Sequence, residues 1–164
     1  MAGLGAVSSF IQRGSKVYSF GGMSGSGANI PYSSALGVRD IVAPNPAYTL
    51  LGNAPIAGRF GSHVDTLPGN RLMFWGGFNL SGSAYVPFGN GIIYNISTNS
   101  FHDIPSEGPP PSLKASTKSI SGKFVIWNMA TAANLAINKG FIYTPDLNGF
   151  GKPERLKLYL FKKD

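Results

Sequence analysis

The sequence predicts an all-β fold made of a repeated unit of about 50 residues, each unit holding four short strands. Three observations carry this. Short apolar segments follow Gly-containing turns at three places: Ser15–Phe20 after Arg13-Gly14, Arg71–Trp75 after Pro68-Gly69-Asn70, and Lys123–Trp127 after Ser121-Gly122. Markers then recur in a fixed order. Gly21-Gly22 returns as Gly76-Gly77, 55 residues on, and Trp75 returns as Trp127, 52 on. Gly91-Ile92-Ile93-Tyr94 returns as Gly140-Phe141-Ile142-Tyr143, 49 on, and Phe101 and Phe150 keep that offset. In the first unit Gly37-Val38 stands 54 before Gly91-Ile92, the offset that also separates Asn53-Ala54-Pro55 from Glu107-Gly108-Pro109. The composition agrees. Charged residues are only 13% of the chain, while 22 Gly and 12 Pro are scattered along it, so the chain is charge-poor and rich in turns.

The second unit justifies the elements in order. Ser62 to Leu67 is a strand, and Pro68-Gly69-Asn70 has the dipeptide chemistry of a tight hairpin. Arg71 to Trp75 follows, nearly all apolar, which requires cover on both faces. Gly76-Gly77 ends it, where the lack of Cβ permits unusual dihedrals or close approach. Phe78 to Asn90 is expected to be a polar loop. Gly91 to Ile96 is the third strand, Ser97-Thr98-Asn99 turns it, and Ser100 to Ile104 is the fourth, stopped by Pro105. In the third unit Asn128-Met129 replaces the Gly pair, and Ala130 to Lys139 is expected to hold a short loop or helical turn. Leu156 to Phe161 alternates and is expected to be a closing outer strand.

Strand, Gly-Gly, variable loop, then Gly-x-x-Tyr-x-x-x-x-Asn-x-Phe resembles the kelch repeat. Arg59-Phe60-Gly61-Ser62-His63 is similar to the Arg-x-Gly-His segment that leads into such a repeat. The resemblance implies a partial β-propeller of about three four-stranded kelch-like blades, at residues 4–52, 59–105 and 113–164 of a single domain. Three blades leave two open faces, so the chain is expected to be completed by self-association, by the rest of a longer protein, or by other subunits.

Composition narrows the function classes. No cysteine is present, which excludes disulfides, thiolate metal sites and a Cys nucleophile, and leaves the compartment open. No apolar run reaches the roughly 18 residues of a transmembrane helix. The net charge of +7 is uneven: residues 112–164 hold nine basic and three acidic side chains. That segment is a candidate contact for nucleic acid or another anionic surface, or a solvated edge whose lysines deter strand pairing.

Groups for catalysis are few. His63 belongs to the kelch-like lead segment and is expected to be a hydrogen-bonded structural residue. His102 and Asp103 are adjacent on a strand and point to opposite faces. No catalytic residue, metal site or cofactor is assigned. A sugar-isomerising relative of the kelch class would recruit groups such as Arg39, Asp40, Arg59 and Asp65, though no spacing requires it. Loops between strands are the better place for recognition. Tyr32 and Arg39 from the first unit, and Tyr85 and Phe88 from the second, are the candidate binding residues, with Tyr32, Tyr85, Phe78 and Phe88 alternatively folding back to pack between repeats. The expected function is a non-enzymatic protein-binding or structural scaffold. The alternative is carbohydrate binding, or sugar modification once the ring is complete.

Overall fold

The computed structural model describes residues 8–24, 31–82, 84–104, 114–121, 123–130, 141–144 and 153–155. They form an all-β protein. The first sheet holds β1 (Ser9–Arg13), β2 (Lys16–Phe20), β3 (Ala35–Asp40) and β4 (Tyr48–Asn53) in sequence order. The second holds β5 (His63–Leu67), β6 (Arg71–Trp75), β9 (Gly91–Asn95) and β10 (Ser100–Ile104). Between β6 and β9 a separate ribbon forms from β7 (Phe78–Ser81) and β8 (Ala84–Pro87). The third sheet holds β11 (Lys114–Ile120), β12 (Lys123–Ala130), β13 (Phe141–Tyr143) and β14 (Pro153–Arg155). Every pairing is antiparallel. The first strands of the sheets come together: β5 touches both β1 and β11.

Turn chemistry sets the hairpins. Gly69 and Asn70 both take positive φ, 72° and 62°, which is the tight turn that Pro68-Gly69-Asn70 specifies. The Tyr94 hydroxyl donates to Asn99 Oδ1 at 2.7 Å, and Asn99 itself sits at φ 51°. A Tyr and an Asn five apart thus bracket the β9–β10 turn from one strand to its end. Gly76 and Gly77 take φ 70° and 82°, and a Cβ on Gly77 would stand 2.7 Å from Phe60 O and from Ser62 Oγ. Positive φ and close approach together require Gly at that strand end.

The middle sheet is covered on both faces, as its apolar β6 demands. Leu72, Phe74, Ile92 and Tyr94 pack against Tyr18, Phe20 and Leu36 of the first sheet. Met73, Trp75 and Ile93 pack against Phe124 and Ile126 of the third. Period-two alternation alone sorts these side chains to the two neighbours. Each such side chain contributes roughly 1.5–3 kcal/mol over its exposed state. Polar ties join the inner strands as well. Ser9 Oγ donates to Ser62 O at 2.6 Å, and the Ser119 backbone N–H donates to Asp65 Oδ2.

Two expectations change. Phe78 to Asn90 is not a polar loop but carries the β7–β8 hairpin, because its residues alternate across Gly82 and Phe78 bridges back to Phe60. The strand before the third loop runs on to Ala130, so that residue is extended. The helical turn expected after it and the closing strand at 156–161 lie outside the described residues, as does most of the basic segment 112–164. Among the described residues no helix is long and apolar enough to cross a membrane.

Candidate functional site

Two loops and one connector meet at the ends of β2 and β6 that carry the glycine pairs. Arg59, on the connector from the first sheet to the second, is their brace. Its backbone belongs to the first sheet's loop: Gly22 N–H donates to Arg59 O at 2.8 Å, and Arg59 N–H donates to Ser33 O at 3.0 Å. Its side chain belongs to the second sheet's loop. Nη1 donates to Gly76 O at 3.0 Å, Asn90 O at 3.1 Å and Asn90 Oδ1 at 2.8 Å, and Nε donates to Ala57 O at 2.9 Å. The guanidinium carbon stands 4.0 Å from the Phe88 ring centroid. The residue is 1% exposed, and burial lowers its pKa to about 10, so it remains a cation at neutral pH. Carbonyl dipoles and a ring face compensate the charge. Nη2 finds no partner among the described residues.

An aromatic row crosses the same end. Tyr32 stacks on Phe60, with centroids 5.7 Å apart and planes 13° apart. Phe60 meets Phe78 at 4.2 Å, and Phe78 meets Tyr85 edge-on at 5.1 Å. The Tyr32 hydroxyl oxygen accepts from Leu80 N–H at 3.1 Å, tying the first sheet's loop to the hairpin. The row runs from half-buried Tyr32 to Tyr85, which is 50% exposed beside exposed Val86.

The four candidate binding residues therefore separate. Tyr32 and Tyr85 lie at opposite ends of one aromatic row, and Phe88 lies beside it under Arg59. Arg39 is elsewhere: it is exposed on β3, opposite Val17 and Tyr48, toward the other end of the first sheet. Neither Phe60 nor the brace role of Arg59 follows from the sequence motifs; the signal for them is their place between Pro55 and Gly76-Gly77, where a connector must cross two loops.

His63 differs from its expectation. Its ring stacks on Trp75 at 6.1 Å, but Nε2 is buried without a partner among the described residues, and burial lowers its pKa. His102 and Asp103 pair with Ile93 and Ile92, on opposite faces of the sheet. Among the described residues no three His, Asp or Glu side chains gather as a metal site. An open depression of about 410 Å³ lies where the inner strands meet, lined by Arg13, Thr66, Leu67, Pro68 and Ser119.

These features define a class: an all-β protein of successive four-stranded sheets with a loop-bearing, aromatic end. A solved structure titled "Structure of YjhT" shares this fold at 14% identity, with a TM-score of 0.63 over 94% of this chain. The chain spans 51% of that structure's length. No family model matches the chain, and no curated protein does.

Proposed function

We propose that the chain is a partial β-propeller of kelch-like blades that works as a non-enzymatic protein-binding scaffold, completed by sheets outside it. One observation carries the reading. The middle sheet is sealed on both faces, whereas the outward faces of the other two keep Phe10, Leu50 and Ile120 at 70%, 51% and 55% exposure. Convergence of β1, β5 and β11, and the likeness to a structure about twice as long, support an arrangement that continues around an axis. The test is the solution mass of the purified chain, by light scattering over a concentration series. The proposal expects association with itself or with co-purifying protein, and a stable, non-aggregating monomer overturns it.

A second reading is carbohydrate binding at the aromatic row, favoured by the half-exposed Tyr85 ring at its end. Glycan-array binding that Tyr85→Ala abolishes would support it, and an array without any signal would remove it.

A further inference from the structure

We infer that the outward face of the third sheet docks a separate β-sheet protein whose facing surface carries carboxylates. This deepens the scaffold reading and rests on it.

The covered faces show what a sheet-to-sheet contact here requires. In the second sheet, Asp65, Met73 and Ile93 form one cross-strand row. The third sheet covers that row, leaving Met73 and Ile93 wholly buried. Lys118, Val125 and Ile142 form the matching row of the third sheet, two residues before Trp127 as Met73 is two before Trp75. Phe124 and Ile126 turn inward to the second sheet, so Lys118, Val125 and Ile142 turn outward. Ile120 adds an apolar side chain at 55% exposure, at the register place where the second sheet has buried Leu67. The apolar rows are thus alike, but Met73 and Ile93 are wholly buried, whereas Val125 and Ile142 are only part-buried and Ile120 is exposed.

Charge then selects the occupant. Asp65 accepts the Ser119 N–H of the neighbouring sheet. Lys118 stands at the equivalent place and can only donate, so the neighbour must supply an acceptor. Exposed Lys123 shares the face and adds a second cation.

A second copy does not meet this need. The outward rows of the first sheet are Phe10–Ser19–Gly37–Leu50 and Gln12–Val17–Arg39–Tyr48, which hold a cation and no carboxylate. Where the covered second sheet has Phe74 and Ile92 at their centre, this face has Ser19 and Gly37. Its own Tyr48 ring lies over Gly37, in the space a Cβ would take. Pairing two third sheets would set Lys118 and Lys123 against themselves. Opposed like charge disfavours both arrangements in a chain of net charge +7.

The test uses the full chain purified with its associated protein and treated with a carbodiimide, which joins an amine only to a carboxylate in contact. The expected product links Lys118 or Lys123 to an Asp or Glu of a different polypeptide. Ile120→Asp and Lys118→Glu should each lower recovery of that polypeptide by about tenfold or more, whereas Leu50→Asp should leave it unchanged. Replacing the cross-linked carboxylate by Lys should restore binding to the Lys118→Glu chain. All variants alter exposed positions, and unchanged circular dichroism verifies their fold. Cross-links into a second copy of this chain overturn the inference, as does capture of RNA or anionic vesicles through Lys118 in place of protein. Loss of the associated protein on Leu50→Asp but not on Ile120→Asp overturns the face assignment and leaves the scaffold reading standing. A monodisperse monomer with no associated protein removes both.

Discussion

The Arg59 guanidinium lies against the Phe88 ring at 4.0 Å while its Nη1 holds Gly76 O and both oxygens of Asn90. One buried side chain therefore fixes the start and the end of the loop that bears the β7–β8 hairpin. Removing it as Arg59→Ala takes the charge-assisted bonds away from Gly76 O and Asn90 Oδ1 and the cation from the Phe88 ring, at a cost of about 2–3 kcal/mol. Arg59→Lys recovers little, because one ammonium cannot reproduce the planar fork. Urea midpoints measure the cost. Hydrogen exchange should quicken over 76–90 before it does in β5 or β6.

The Tyr94–Asn99 bond spans a hairpin turn, and its loss should be local. Tyr94→Phe is expected to lower stability by about 1 kcal/mol. Asn99→Ala should cost more, because it also places Ala at a positive φ. A double-mutant cycle should return a coupling near the single Tyr94→Phe value, and strict additivity would deny the bond its role.

Gly37 is a matter of space. A Cβ there would overlap the Tyr48 ring. Gly37→Val is expected to destabilise by about 1–3 kcal/mol, the cost of overpacking, and to become tolerated when Tyr48→Ala has removed the ring. Thermal melts of the two single variants and the double variant check this.

His63 should make the fold sensitive to acid. Burial holds its folded pKa below the ordinary value of 6.5, so in the window beneath 6.5 the unfolded chain binds a proton that the folded chain refuses. Its neutral-state contribution is complete above that window and lost as pH falls through it. Urea midpoints at pH 5 and pH 7.5 should differ for the native chain, and His63→Phe should flatten that part of the difference.

Much of the fold is legible in the sequence where local chemistry decides it. Arg71 to Trp75 reads as a strand apolar on both faces, and the structure covers both. Pro68-Gly69-Asn70 reads as a tight turn, and two positive φ values form it. The β7–β8 hairpin is not legible in the same way, because Ser81 to Ala84 is polar and what holds Phe78 is Phe60, eighteen residues earlier. Arg59 reads as part of a motif, but its burial depends on carbonyl groups supplied by Gly76 and Asn90. Of the candidate residues, Tyr32 and Tyr85 fall on one row because a loop and a hairpin are brought together by tertiary contacts. Arg39, also near a turn, sits on β3 toward the other end of the first sheet. Sequence distance from a turn does not say which end of a sheet a residue reaches.

The Tyr48 ring over Gly37 has a consequence for growth. Two complementary ends on one molecule add head to tail, and unless the rotation closes they extend into fibres. Here one end has filled the space over Gly37 with its own Tyr48 ring, while the other end keeps Ile120, Lys118 and Lys123 exposed. On the inference that the third sheet's face takes a different protein, such unlike ends would give the chain a direction without giving it a way to polymerise.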